Sequence, residues 1–179
     1  ELRTFHVTDN TIVRTTYDPQ HERLAVCRKD QDSFSIWDTL HDQKLHEYRW
    51  HDDSVTSVEF APNGESIASG SRDSKVRLWD VESGRLKGVF AGHRETITSL
   101  KFFPDGVRLV SGSQDDTVRI WNSQSGESQQ VLQGHSDDVL CVTVLPDDRV
   151  ISASADKTIR IWNSATGTEL QRLSLSIDQ

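Results

Sequence analysis

Val76-Arg77-Leu78-Trp79-Asp80 alternates apolar side chains with an arginine and closes on tryptophan and aspartate. The run returns as Val118-Arg119-Ile120-Trp121-Asn122 and as Ile159-Arg160-Ile161-Trp162-Asn163, and in a shorter form as Ser35-Ile36-Trp37-Asp38. Alternation of β-branched residues over so short a stretch is the pattern of a half-buried strand. The four tryptophans, Trp37, Trp79, Trp121 and Trp162, stand 42, 42 and 41 residues apart. A second set keeps the same beat, since His51, His93 and His135 are 42 apart and the last two follow Gly92 and Gly134. Self-similarity at one fixed period marks an array of one supersecondary unit, each copy burying its apolar face on the next.

Working outward from Trp79, the second copy reads as strands over 55–60, 66–71, 75–80 and 86–90, separated by Pro62-Asn63-Gly64, by a tight turn at Arg72-Asp73 and by Glu82-Ser83-Gly84. The third copy repeats this with Pro104-Asp105-Gly106 and Gln124-Ser125-Gly126. The fourth uses Pro146-Asp147-Asp148 and Ala165-Thr166-Gly167 and lacks one residue in its first hairpin, which accounts for the 41-residue step. In the first copy Pro19 lies 18 residues before Trp37, against 17 in copies two and three, and the extra residue is placed in the turn at 29–33.

A repeat of ~40–45 residues with Gly-His early and Trp-Asp late resembles the WD40 family of β-propellers. The resemblance covers essentially the whole chain, with three close copies and a degraded first one. It implies an all-β fold of four four-stranded antiparallel blades within a single domain 1–179, at 6–48, 49–91, 92–133 and 134–179. Residues 1–5 read as an orphan outer strand of a preceding blade, because Phe5 precedes Ile12 as Phe90 precedes Ile97. Propellers of this family usually carry about seven blades, so the arc is expected to be part of a larger ring. Closure by dimerisation into an eight-bladed ring and closure by four blades alone are the alternatives. The first is preferred, since the chain starts at Glu1 and has no methionine.

Polar residues recur at fixed offsets in copies two to four: Asp73, His51, Ser69 and Trp79; Asp115, His93, Ser111 and Trp121; Asp156, His135, Ser152 and Trp162. The resemblance implies that each set is a hydrogen-bonded structural tetrad. Indole N–H donates to hydroxyl, hydroxyl to imidazole, and imidazole to carboxylate, so every buried polar atom has a partner. Ser71, Ser113 and Ser154 lie two residues on and face the same way, so the choice of serine stays open. Serine, histidine and aspartate are also the members of a hydrolytic triad. Three copies, no exposed hydroxyl and no G-x-S-x-G elbow argue for architecture instead, and no catalytic residue is expected. The first copy has Thr8 for the histidine and Val26 and Arg28 for the two serines, with Asp30 as the displaced carboxylate, so Trp37 has no complete network.

The resemblance also places partner contacts on the top face, at Ser54, Thr56 and Arg72; Thr96, Thr98 and Gln114; Asp138, Leu140 and Ala155; and, by alignment of the first blade, Thr11, Val13 and Lys29. The loops around them carry Asp9, Asp52, Asp53, Glu95, Asp116, Asp137 and Asp138 against Arg28, Arg94 and Lys157, which reads either as a bias towards basic peptides or as solvating charge on loops. Trp50 fills the glycine position of the Gly-His pair beside Tyr48 and Arg49. It reads either as an exposed anchor or as a cover over the first blade. Arg77, Arg119 and Arg160, two before each tryptophan, are expected to pair with acids of neighbouring blades. His41, Asp42, His46 and Glu47 fit no metal-site spacing, and no metal or cofactor is implied.

Composition narrows the function classes. A net charge of −8 spread along the chain argues against nucleic acid as the default partner. Cys27 and Cys141 form neither a metal motif nor a disulfide framework, and a reduced intracellular compartment, cytoplasmic or nuclear, is the resulting expectation. No apolar run approaches the ~18 residues of a membrane span. The expected function is a non-catalytic scaffold docking proteins or peptides on the top face. A ligand-sensing or lectin-like propeller array attached to a larger signalling protein ranks second, and a propeller enzyme last.

Overall fold

The computed structural model describes residues 12–174, with the backbone alone at Val13. Thr8, Thr11 and the orphan strand at 1–5 lie outside the described residues. The described chain is all β, in four sheets of four strands each. Blade 1 comprises β1 (Ile12–Asp18), β2 (Arg23–Arg28), β3 (Ser33–Asp38) and β4 (Gln43–Arg49). Blade 2 comprises β5 (Val55–Phe60), β6 (Ser66–Ser71), β7 (Val76–Asp80) and β8 (Leu86–Phe90). Blade 3 comprises β9 (Ile97–Phe102), β10 (Arg108–Ser113), β11 (Val118–Asn122) and β12 (Ser128–Leu132). Blade 4 comprises β13 (Val139–Val144), β14 (Val150–Ser154), β15 (Thr158–Trp162) and β16 (Glu169–Ser174). Each sheet is an antiparallel meander, and the first strands β1, β5, β9 and β13 lie side by side along the inner edge.

The core consists of three seams between successive blades. In the first, Ala25, Cys27, Phe34, Ile36 and Tyr48 of blade 1 meet Val58, Phe60, Ile67 and Trp79 of blade 2. The second joins Ala68, Val76, Leu78 and Phe90 to Leu100, Phe102, Leu109 and Trp121, and the third joins Val110, Val118, Ile120 and Leu132 to Val142, Val150 and Trp162. Each internal seam thus sets a Trp-bearing face on the apolar face of the blade before it. Alternation along the strands assigns the two faces, and burial of the large side chains supplies about 1.5–3 kcal/mol apiece against exposure.

Gly70 and Gly112 set the spacing of two seams. A Cβ on Gly70 would stand 2.5 Å from Ile97 Cγ2 and 2.9 Å from Ile97 Cβ, and one on Gly112 would stand 2.7 Å from Val139 Cγ1. Blade 1 has Cys27 at this place, fully buried, and blade 4 has Ala153. In blade 1, Val26 pairs with Ser35, whereas in blade 2 Ser69 pairs with Arg77, so the second hairpin of blade 1 is one residue longer, in the turn at 29–33.

The four blades do not close into a ring on their own, since β13 packs on β9 and β10 and the far face of blade 4 stays open. Register puts Ile151, Ile159, Ile161 and Leu173 of blade 4 where Val110, Val118, Ile120 and Leu132 are buried in blade 3. Leu173 is 46% exposed, and the three isoleucines are half-buried. The outer face of blade 1 is more polar: Thr15 and Tyr17 stand where blade 2 has Val58 and Phe60, and the Tyr17 hydroxyl donates to Glu22.

Gly70→Ala tests the seam directly. It is expected to destabilise the chain by about 1–3 kcal/mol in urea unfolding, because the added methyl meets Ile97 rather than a flexible surface group.

Candidate functional site

The hydrogen-bonded quartets are built the same way in blades 2, 3 and 4. The indole Nε1 of Trp79 donates to Ser69 Oγ at 2.8 Å, Ser69 Oγ lies 2.8 Å from His51 Nε2, and His51 Nδ1 lies 2.9 Å from Asp73 Oδ2. The distances are 2.8, 2.8 and 2.8 Å for Trp121–Ser111–His93–Asp115, and 2.8, 2.7 and 2.8 Å for Trp162–Ser152–His135–Asp156. Two strands, the turn between them and the incoming loop are thereby joined, with Ser69, Ser111 and Ser152 all 0% exposed. The serines two residues on do another task. Ser71, Ser113 and Ser154 accept the N–H of Asp73, Asp115 and Asp156 and donate to the carbonyls of Asp53, Glu95 and Asp137.

The chain of donors fits neutral imidazoles protonated on Nδ1. Burial holds His51 and His93 below the usual histidine range, against the pull of their carboxylate partners. For Asp73, burial acts upward, but the hydrogen bond and charge of His51, then Arg77 and the Lys75 N–H, outweigh it and hold the carboxyl well below its usual range. Asp115 and Asp156 are held low against burial in the same way, by His93 and Thr117 and by Thr158 and His135. No serine hydroxyl here is free to attack a substrate, since each already accepts from an indole and faces an imidazole in the dry interior.

Blade 1 lacks this arrangement. Half-buried Trp37 donates to Ser35 of its own strand at 2.9 Å, and Asp30, the displaced carboxylate, faces outward 3.5 Å from Arg72. The arginines two before each tryptophan also depart from expectation, because they bond within their own blades. Arg77 Nη1 reaches Asp73 Oδ2 at 2.5 Å, Arg160 Nη1 reaches Glu169 at 2.5 Å, and Arg119 Nη1 donates to Ser128 Oγ at 3.4 Å. Their strand neighbours on the same sheet are closer than any acid across a seam that apolar side chains fill.

The residues assigned to the top face fall into two groups. Several bridge blades: Thr56 Oγ1 donates to the Ile97 carbonyl, Thr98 Oγ1 to the Val139 carbonyl at 2.5 Å, Gln114 Nε2 to Asp138 Oδ2 at 2.8 Å, and Arg72 meets Asp30. The others lack such a bridge: Lys29 and Ala155 are exposed, Ser54 and Thr96 partly so, and Leu140 is 53% exposed on β13. Val13 belongs to β1, and its side chain lies outside the described residues. Between blades 3 and 4 the carboxylates of Asp116, Asp137 and Asp138 lie within 4.8 Å of one another. Burial and then the charges of Asp137 and Asp138 push the Asp116 carboxyl up. His41, His46 and Glu47 go to separate partners, Asp38, the Glu82 carbonyl, and Lys44 with Arg49. Trp50 is 73% exposed and lies beside Gly84, Arg85 and Leu86 of blade 2, not over blade 1.

Comparison with known proteins agrees with this geometry. The family model "WD domain, G-beta repeat" (WD40) matches residues 42–80, 84–122 and 126–163. Each matched unit takes the outer strand of one blade and the three inner strands of the next, so one repeat stitches two blades together. The chain is 33% identical over 78 residues to eukaryotic translation initiation factor 3 subunit I of Neurospora crassa, covering 44% of this chain and 22% of that protein. It is 41% identical over 68 residues to periodic tryptophan protein 2 homolog of Schizosaccharomyces pombe, covering 37% of this chain and 8% of that protein. The solved structure of U3-55K superposes with a TM-score of 0.88 at 24% identity over 96% of this chain and 54% of that one, a likeness of fold. The chain therefore spans about half of that structure and under a quarter of these two curated relatives.

Two outcomes check the quartets. Ser111→Ala strands a buried indole N–H and an imidazole nitrogen and is expected to cost about 1–3 kcal/mol in urea unfolding, whereas Ser35→Ala beside half-buried Trp37 costs under about 1 kcal/mol. On acidification the unfolded chain takes up protons before the folded one, at histidine from about pH 6.5 and at aspartate from about pH 4. Stability contributed by the depressed groups is therefore complete above about pH 7. It falls as pH drops through 6.5 and again below 4, which a thermal midpoint series by circular dichroism reads directly.

Proposed function

The chain belongs to the WD40 repeat family, and for this member we propose a non-catalytic scaffold that docks partner peptides or protein domains on the top face of its blades. The observation that carries this is the fate of the catalytic-looking residues. Every Ser–His–Asp set is buried and engaged in architecture, while the loops at the same ends of the blades leave Lys29, Ser54, Thr96, Leu140 and Ala155 available. WD40 proteins generally serve as interaction scaffolds, and fold alone does not name the partner.

Charge favours a basic partner. Asp116, Asp137 and Asp138 converge at the seam of blades 3 and 4, and Asp52, Asp53 and Glu95 lie on the equivalent loops of blades 2 and 3. Such a field acts more on association rate than on residence time. The open aliphatic face of blade 4 fits a second kind of protein partner, another Trp-bearing blade face, as at the three internal seams. Further blades of a larger ring fit it better than a second copy of this chain, whose blade 1 keeps Trp37 on that face but sets Thr15 and Tyr17 where blade 2 has Val58 and Phe60. An intracellular setting, cytoplasmic or nuclear, suits a scaffold with two free cysteines, and no described helix is long and apolar enough to cross a membrane.

The test is stopped-flow binding of a Lys/Arg-rich peptide at low salt to the chain and to a variant with Asp137→Lys and Asp138→Lys. The association rate is expected to fall at least about tenfold in the variant while the dissociation rate changes little. Unchanged association would rule out this seam as the docking place.

A further inference from the structure

The outer rim carries a second surface. Trp50 stands at the position held by Gly92 and Gly134 in the next two repeats. There the glycine matters sterically, because a Cβ on Gly92 would lie 3.0 Å from Arg119 Nη1 and 3.1 Å from Trp121 Cη2. In blades 3 and 4 the arginine covers the edge of the tryptophan, with Arg119 and Arg160 at 5.8 and 5.9 Å from the ring centroids of Trp121 and Trp162. Blade 2 differs at its arginine: Arg77 is drawn to Asp73 and is not stacked on Trp79, while the Tyr48 ring on Trp79 at 5.4 Å has its counterpart in Phe90 on Trp121 at 5.9 Å. With the arginine drawn away, position 50 carries a side chain, and the indole turns outward, 73% exposed.

Around the indole lies a shallow cleft of about 420 Å³ formed with Gly84, Arg85 and Leu86, the last 41% exposed. Of the residues that line the cleft, Arg85 is the charged one. Glu47 is already countered by both Lys44 and Arg49, and Arg85 is exposed with no ion pair among the described residues. The lining of the cleft is thus cationic on a chain of net charge −8.

We propose that Trp50, Leu86 and Arg85 form a docking surface for an acidic peptide segment bearing an apolar side chain. The apolar side chain lies on the indole and Leu86, and its flanking carboxylates meet Arg85 and Arg49. A large aromatic beside an arginine is the composition of interface hot spots. Leu86 and the lack of a second exposed aromatic beside Trp50 among the described residues favour a peptide over stacked nucleotides, for which successive bases need successive rings. The surface is separate from the acidic top-face seam and takes a partner of opposite charge.

A random peptide library displayed on phage, selected on the chain and counter-selected on Trp50→Gly, tests this. The substitution restores the residue of the two following repeats, so the fold is retained, and urea unfolding verifies it. Selected peptides are expected to combine Asp or Glu with Leu, Ile or Phe. Their affinity should fall at least about tenfold in Trp50→Gly and in Arg85→Glu, and stay unchanged in Asp137→Lys. Failure to select any peptide, selection of basic peptides, equal binding to Trp50→Gly, or Trp50-dependent binding of a labelled oligouridine overturns the proposal. The top-face reading stands or falls separately, on the Asp137 and Asp138 variant.

Discussion

The indole N–H of a buried tryptophan is the constraint on which each of blades 2 to 4 depends. A seam between sheets needs a large apolar side chain, and Trp79, Trp121 and Trp162 supply it, but each brings one donor into a place without water. Ser69, Ser111 and Ser152 accept that donor, and each serine then passes its own hydrogen to an imidazole. The imidazole in turn donates to an aspartate at the tip of the hairpin that carries the serine and the tryptophan, whose remaining lone pairs take backbone N–H groups of the incoming loop and the turn. One unpaired donor is thereby converted into a brace from the outer part of the blade to its top loops. A cost that would otherwise fall on the core becomes the device that fixes the position of the functional edge.

Blade 1 is the case in which the brace is lost. With Val26 and Arg28 in the serine places, Trp37 is left half-buried and bonded to its own strand. The other face of the blade still joins the first seam through Phe34, Ile36 and Tyr48, so the blade is held from one side. The ends of the arc are accordingly unlike: a polar-substituted face at blade 1 and an apolar one at blade 4. An apolar sheet face that repeats the internal seams is complementary to another blade rather than to solvent.

Much of this was legible in the residues because the repeat reports itself three times. The spacing of Trp79, Trp121 and Trp162 and of the three histidines was enough for the strand order and for the polar quartets. The choice between Ser69 and Ser71 was not, because side chains two apart share a face and only hairpin register separates them. The partners of Arg77, Arg119 and Arg160 were also hidden, since strand neighbours such as Glu169 lie close only once the outer strand folds back. Thr56 and Thr98 look like free hydroxyls in the sequence, yet each donates to a carbonyl 41 residues away in the next blade. Trp50 resisted for the same reason. Whether a tryptophan in a loop is covered depends on where Arg77 goes, and Arg77 lies 27 residues further along the chain.

The direct test of the brace is the tautomer of its histidines, read by nitrogen-15 NMR of the histidine-labelled chain near neutral pH. Donation from indole to serine to imidazole to aspartate requires His51, His93 and His135 to carry their proton on Nδ1, with Nε2 accepting from serine. Three such signals, distinct from those of the exposed histidines, are the predicted result. Nε2–H tautomers at these positions, or averaged signals of rings open to water, would contradict the account.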